Sequence, residues 1–351
     1  MNITINGKHC QSISDIRECS SAKLTSFVEE YFNDADYIVA HTSGSTGTPK
    51  EIHLQKSDMK VSAANTNRFF GIGPDSVLYL NLSPDYIAGK MMIVRALEAN
   101  AQLIEETPSN DVLANYNGSG IDLAAFVPSQ LVGLLHNPDR LQHIRKMIIG
   151  GGIVSAGICS KLVECGIEAY STYGMTETCS HIALQRIEPM MKPYEMLGDN
   201  TIETDARGCL LLNLPSYTIK RIITNDIVEI VDNRHFYWKG RYDNVVNSGG
   251  IKLYPEEIEP KLTSLLPKAK FYISSIESDK WGEELAIVIE YPTMGTNIKI
   301  GKVNESLHEN MKQILPKYSV PKTFIAVSKF EYTTTGKLIR RKFKADGSIM
   351  E

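Results

Sequence analysis

Apolar runs of four to six residues recur through the first half of the chain. Between them lie longer stretches with apolar positions three or four apart. YIVA (37–40), VLYLNL (77–82), AQLI (101–104), DLAAFV (122–127), KMIIGG (146–151) and IEAYST (167–172) read as strands. The stretches 57–70, 87–98, 129–137 and 155–165 read as helices. Such alternation predicts a mostly parallel, layered sheet. After residue 190 the texture becomes strand-rich, with CLLLNL (209–214), RIIT (221–224), IVEIV (227–231) and HFYW (235–238) separated by turn residues. The polar, glycine-rich GRYDNVVNSGG follows. Beyond it a helix at 256–266, strands at 270–276 and 285–291, and a helix at 301–315 predict a compact α+β unit. The fold expected is α/β: a large layered αβ domain over residues 1–242 and a small α+β domain over 243–351.

Composition narrows the class without deciding it. Of 351 residues 42% are hydrophobic and 22% charged, and the net charge is −4. Nothing in that balance favours nucleic acid or an anionic membrane surface. The eight histidines have no metal-ligand spacing. The six cysteines form no CxxC pair and read as small buried hydrophobes in a reducing compartment. The start, MNITINGKHC, lacks a signal pattern, and no apolar run approaches the ~18 residues of a membrane span. A cytoplasmic protein is expected, and a homo-oligomer is compatible with the sequence.

Candidate chemistry begins at TSGSTGTPK (42–50). Backbone N–H groups converge readily in a glycine-rich turn and form an anion-binding concavity. The hydroxyls at 42, 43, 45, 46 and 48 add donors, and Lys50 adds a point charge. A polyphosphate is the natural guest, and a solvated Ser/Gly turn is the plain alternative. The order of residues is not that of a Walker A loop, and the following EIHL reads as a strand rather than a helix. The segment therefore looks like a hairpin flap.

Four further segments complete a pattern: TYGMTET (172–178), TND (224–226), GRYDNVVNSGGIKLYPEEIE (240–259) and TTTGKLIRR (333–341). With TSGSTGTPK, their order and placement resemble the adenylate-forming superfamily of acyl-CoA synthetases, adenylation domains and luciferases. Within it, FVPSQLVGLL (126–135), IRKMIIGGG (144–152) and TYGMTETCSHIAL (172–184) most resemble the o-succinylbenzoate–CoA ligases of menaquinone biosynthesis. Two departures stand out. Only 41 residues precede the phosphate loop, so a subdomain that usually packs on the sheet is expected to be largely absent. The usual Pro-Lys-Thr of the last motif is replaced by Glu331, Tyr332 and Thr333.

The resemblance implies an ATP-dependent acid–CoA ligase that uses Mg²⁺, coenzyme A and a small carboxylic acid, and passes through an acyl-adenylate. Thr42, Ser43, Gly44, Ser45, Thr46, Gly47 and Lys50 would cradle the β- and γ-phosphates. Thr176 would meet the α-phosphate, and Glu177 would hold Mg²⁺, a hard cation that keeps a carboxylate compatible with triphosphate. Tyr173 would face adenine, with Gly150, Gly151 and Gly152 allowing close approach. Asp226 would accept from both ribose hydroxyls, and Arg241 would hold the ribose or phosphate side. Lys337 would sit where the acid attacks the α-phosphate. Asp243 would be the pivot of a small-domain rotation that brings Ser248, Gly249 and Gly250 to a pantetheine channel. Ser180, His181, Tyr86 and Lys90 are candidates for the acyl pocket. Arg340, Arg341 and Lys342 read as surface charges, and Cys179 as a packed thiol rather than a nucleophile. A stand-alone adenylation enzyme that loads a carrier protein shares every phosphate residue, and a nucleotide-binding pseudoenzyme is the alternative outside catalysis.

Overall fold

A computed structural model describes residues 2–42, 50–118, 120–292, 298–333 and 338–350. The chain opens with β1 (Ile3–Ile5), β2 (Lys8–Cys10), α1 (Ile13–Arg17) and α2 (Ala22–Phe32). The helix α2 buries Leu24, Phe27, Val28 and Tyr31 at helical spacing, a signal that sequence reading did not use; β1, β2 and α1 are too short for periodicity to announce them. Local caps define them instead. Ser12 and Asp15 close a capping box on α1, and the Ser21 hydroxyl accepts from the Leu24 amide at the start of α2.

The alternating half follows the apolar pattern. In order come β3 (Tyr37–Thr42), β4 (Lys50–Gln55), α3 (Lys56–Phe70), β5 (Val77–Leu80), α4 (Ile87–Ala99), β6 (Gln102–Glu105) and β7 (Leu123–Phe126). Then come α5 (Pro128–Leu135), α6 (Pro138–Leu141), β8 (Lys146–Ile149), α7 (Ala156–Glu164) and β9 (Glu168–Met175). The strand-rich stretch contributes β10 (Ser180–Arg186), β11 (Tyr194–Met196), β12 (Thr201–Thr204), β13 (Cys209–Asn213), β14 (Arg221–Ile230) and β15 (His235–Arg241). The segments RIIT and IVEIV are one strand, β14, with a pairing irregularity between Ile227 and Val228. TND therefore lies inside a strand and not in a turn between two.

Thirteen of these strands form one sheet in the order β12-β13-β14-β15-β11-β10-β9-β8-β7-β5-β6-β1-β2. From β1 through β6, β5, β7, β8 and β9 neighbouring strands run parallel. Pairing from β9 to β12 is antiparallel. The central β7, LAAF, is buried at every position, as expected of a parallel strand covered on both faces. The helix α4 is apolar almost all round and packs with α2 in a core that includes Phe27, Val28, Met91 and Ile93. Each such side chain stabilises the layer by about 1.5–3 kcal/mol.

The last hundred residues hold β16 (Val246–Ser248), β17 (Ile251–Leu253), α8 (Pro255–Leu262), β18 (Phe271–Ser278), β19 (Gly282–Glu290), β20 (Lys299–Lys302), α9 (Glu305–Ile314) and β21 (Thr323–Val327). They form a second sheet, β17-β16-β19-β21-β20, with β18 also on β19. The helix expected from 301 begins at Glu305, because residues 299–302 pair with β21 and Asn304 caps α9. Arg340 is not a surface charge. Its side chain is 16% exposed, and both terminal nitrogens donate to Glu259 on α8, one at 2.7 Å. Lys342 likewise donates to Glu283. These pairs tie the chain end to the second sheet. Arg341 remains half-exposed beside Glu331.

Candidate active site

β3 and β4 form an antiparallel hairpin whose last registered pair is Thr42 with Lys50. The expected phosphate loop is thus flanked by strands on both sides. Ser43, Gly44, Ser45, Thr46 and Gly47 lie outside the described residues, as does Lys337. Of the residues that flank the Lys337 segment, Tyr332 pairs with Leu338 in an antiparallel bridge and the Ile339 amide donates to the Glu331 carbonyl.

The segment TYGMTET turns the sheet from parallel to antiparallel. β9 ends at Met175, a short 3₁₀ turn spans Thr176–Thr178, and β10 returns beside it. Thr178 is the pin. Its hydroxyl accepts from the Met175 amide and lies 2.7 Å from the Ser180 carbonyl. Cys179 and Ser180 take positive φ of 52° and 81° to make the reversal. Gly174 must lack a side chain, because a Cβ there would stand 2.1 Å from the Ser180 carbonyl oxygen. The turn therefore presents Thr176 and an exposed Glu177 on a rigid base. Among the described residues Glu177 has no ion-pair partner, and no cluster of three metal-ligating side chains exists. A free carboxylate of this kind suits Mg²⁺, which takes one or two protein carboxylates and completes its shell with water and phosphate.

Asp226 sits opposite Arg241 across β14 and β15. The carboxylate is 7% exposed and is surrounded by donors: Tyr173 Oη at 2.7 Å, Trp238 Nε1 at 3.2 Å and Arg241 Nη1 at 3.4 Å. Its backbone amide donates to the Thr224 hydroxyl, which donates to the Leu210 carbonyl. The TND triplet is thus a built-in clamp, with Thr224 holding Asp226 in place. Burial, and then the neighbouring Asp226 charge, push the Tyr173 phenol well above its ordinary value, so it stays a donor. The Tyr173 ring packs edge-on against Phe236, with centroids 5.2 Å apart, and against Tyr194 at 6.0 Å. The sequence marked Thr224 as part of TND without assigning it a role, and did not mark Trp238. Trp238 lies on the strand that faces TND, so only the pairing register could have found it.

Gly150, Gly151 and Gly152 follow β8. Gly150 lies against Thr172, whose hydroxyl donates to the Ile149 carbonyl, and Gly152 lies near Pro128. Asp243 is in the 3₁₀ turn Tyr242–Asn244. Its exposed carboxylate lies 3.5 Å from Arg241 Nη2 and 3.5 Å from Asn225 Nδ2. Ser248 pairs with Ile251 in a tight hairpin. Its Gly249 has φ +57°, and a Cβ there would meet the Trp281 ring at 2.7 Å. That hairpin demands glycine on conformational grounds alone.

The acyl-pocket candidates divide. Ser180 and His181 open β10 and meet a residue that sequence reading did not single out, Arg95 on α4. Arg95 is 1% exposed. Its Nη2 donates to Ser180 Oγ at 2.9 Å and to His181 Nδ1 at 3.3 Å, while Nε is buried with no acceptor. Among the described residues no carboxylate lies within ion-pair distance of it. Burial alone lowers its pKa to about 9. Burial and the Arg95 charge hold His181 well below its usual value, hence neutral. With Nδ1 accepting, His181 Nε2–H donates to Thr66 on α3. Lys90, by contrast, is committed elsewhere. It lies 3.3 Å from Glu30 and over the Phe27 ring, so it ties α4 to α2. Tyr86 is 59% exposed at the N-terminal cap of α4. A lone arginine in the apolar run MMIVRALEA was the available signal for Arg95.

A family model described as AMP-binding enzyme matches residues 14–207. The chain belongs to the AMP-binding enzyme family. It is 32% identical to a solved acyl-CoA synthetase (AMP-forming)/AMP-acid ligase II-like protein from Dyadobacter fermentans, covering 90% of this chain and 91% of that one with a TM-score of 0.60. The fold also matches o-succinylbenzoate coenzyme A synthetase from Bacillus subtilis, solved with ATP and magnesium, at TM-score 0.73 and 21% identity over 86% of this chain and 68% of that one. In sequence it is 24% identical to the 2-succinylbenzoate–CoA ligase of Bacillus subtilis, covering 90% of this chain and 70% of the relative. The Staphylococcus epidermidis ligase is also 24% identical, over 97% of this chain and 80% of its own length. The described fold is thus that of adenylate-forming enzymes. Among the described residues no helix is long and apolar enough to cross a membrane.

Proposed function

We propose that this AMP-binding enzyme is an ATP-dependent acid–CoA ligase that works through an acyl-adenylate, with 2-succinylbenzoate as its acid. A carboxylate cannot expel oxide. Attack on the α-phosphate of ATP converts that oxygen into part of AMP, a competent leaving group, with loss of pyrophosphate. The demand on the protein is positioning and positive potential.

The Asp226 clamp would take the ribose, with Arg241 beside it. Thr176 would donate to the α-phosphate from its pinned turn. Glu177 would hold Mg²⁺, which neutralises charge on the transferring phosphates. The loop between Thr42 and Lys50 would cradle the terminal phosphates, and Lys337 would bring an ammonium to the attacking oxygen. We take residues 1–242 and 243–351 as two working units hinged at Asp243. Rotation would withdraw Lys337 and bring the Ser248–Gly250 hairpin to the thiol channel.

The observation that carries the choice of acid is the buried, carboxylate-free Arg95 behind Ser180 and His181. A dicarboxylic acid has a second carboxylate that stays charged while the first is activated. A cation not already neutralised by a protein carboxylate is a strong partner for it, directly or through a hydroxyl that it polarises. Arg95 acting through Ser180 meets that need, and Lys90 does not.

The test is turnover of an acid panel with ATP, and with either CoA or a phosphopantetheinyl carrier protein as acceptor. Pyrophosphate release and thioester formation are read together. The aromatic dicarboxylic acid with free CoA should give the highest kcat/KM. Preference for the carrier would favour a stand-alone adenylation enzyme, and no pyrophosphate from any acid would favour a pseudoenzyme. Lys337→Ala should abolish adenylate formation while thioesterification of supplied acyl-AMP persists. Equal loss of both steps would contradict its assigned role.

A further inference from the structure

Two thiols meet at the far edge of the large sheet, away from the site. Cys10 ends β2, the last strand of that sheet, and is fully buried. Cys19 follows α1 and is partly exposed. Their sulfurs are 3.4 Å apart. Both are free, and no other pair of sulfurs among the described cysteines is in contact.

We propose that Cys10 and Cys19 are an oxidisable dithiol, converted by a hydroperoxide into an intramolecular disulfide that fastens the β2 edge to the end of α1. The surrounding backbone already holds the two in register. Asn6 Nδ2 donates to the Cys19 carbonyl, while Asn6 Oδ1 accepts from the Glu105 amide on β6. The capping box at Ser12 and Asp15 fixes α1 between the two cysteines. A disulfide needs a sulfur separation of about 2.05 Å. Closing from 3.4 Å to that length would break only weak S–H contacts to the carbonyls of Lys8, Asp15 and Ile16.

Exposure assigns the order of events. The Cys19 thiolate attacks one oxygen of the hydroperoxide and the O–O bond breaks. The departing oxygen takes a proton and leaves as water or an alcohol. Cys19 is then a sulfenic acid. Cys10 sulfur attacks that sulfur and loses its proton, the S–O bond breaks, and a second molecule, water, leaves. Two electrons pass from the two thiols to the peroxide. Burial, first, and then the hydrogen bond with Cys19 push the Cys10 thiol up to about 11. It therefore remains a thiol until its neighbour is oxidised. An edge strand is the part of a sheet most open to fraying or to pairing with another chain. A covalent tie there would restrain that edge from fraying under oxidising conditions.

The experiment uses the full chain, reduced and then treated with stoichiometric hydrogen peroxide, with a Cys165→Ser variant in parallel to remove the exposed competing thiol. After unfolding in alkylating agent, peptides are mapped by mass spectrometry. The expected result is loss of two of the six alkylatable thiols. A cross-linked peptide joining Cys10 to Cys19, two hydrogens lighter than the sum of its parts, should appear, and a dithiol reductant should restore both thiols. In Cys10→Ser, a sulfenic-acid trap should label Cys19 and no cross-link should form. The proposal is overturned if Cys19 proceeds to sulfinic acid in the unsubstituted protein without the cross-link. It is equally overturned if Cys10 stays fully alkylatable at doses that oxidise Cys165.

Discussion

Replacing Arg95 with Met should stabilise the protein and weaken the enzyme. The guanidinium is buried, and its pKa falls from 12.5 to about 9 because burial penalises the charged form. At 1.36 kcal/mol per unit that drop is worth roughly 5 kcal/mol. The sign follows from the depression: between about 9 and 12.5 the unfolded chain binds the extra proton, so stability rises with pH there. At pH 7–8, below both values, the whole penalty is present. Methionine keeps most of the volume and removes the charge. It also strips a donor from Ser180 and from His181, each worth about 1 kcal/mol. The net expectation is a gain of about 1–4 kcal/mol, the range seen when buried charges give way to apolar groups. The assay is urea unfolding at pH 7.5 alongside steady-state pyrophosphate release. With the dicarboxylic acid, losing a charge-assisted bond of about 1.5–3 kcal/mol lowers kcat/KM by roughly 10- to 150-fold. A monocarboxylic analogue should be turned over as before. A variant destabilised by more than about 2 kcal/mol with unchanged kcat/KM for the dicarboxylate would refute the reasoning, and would make Arg95 a packing residue.

Asp226→Asn should raise KM for ATP and lower kcat/KM roughly 10- to 100-fold, read by pyrophosphate release, because a neutral amide returns part of the donor set and accepts more weakly. Glu256 lies buried beneath Gly240, with Oε2 unpaired, and burial raises its pKa. A raised carboxylate contributes stability that is present below about pH 4.3 and lost as pH climbs through the folded value. Glu256→Gln should therefore flatten that part of the stability–pH curve, as measured by the difference from the parent in urea unfolding across pH 4–7. Arg340→Ala removes both guanidinium donors from the partly buried Glu259, which keeps the Ile273 amide, and should cost about 1.5–3 kcal/mol in the unfolding transition of the second sheet.

The legible and illegible parts of this protein divide by the range of the interactions that make them. The strands and helices from 37 to 172 were readable because short apolar runs and helical spacing of apolar positions are both carried by neighbours in sequence. The elements β1, β2 and α1 were not, since three-residue strands and a five-residue helix are defined by caps and by pairing with β6, a partner about a hundred residues away. The same division runs through the site. TYGMTET and TND were visible as motifs because their function requires several specific residues in one short segment. Trp238 completes the Asp226 clamp only through the β14–β15 register, and the role of Thr224 within TND is set by its contact with Leu210 on β13. Arg340 and Lys90 show the opposite failure. Arg340 read as a surface charge and Lys90 as an acyl-pocket candidate, and each is paired by a carboxylate on another helix. Among the described residues Arg95 has no such carboxylate. A helix this apolar would bury a methionine there at lower cost, so under the proposed function the second carboxylate of the acid would be what the buried cation serves.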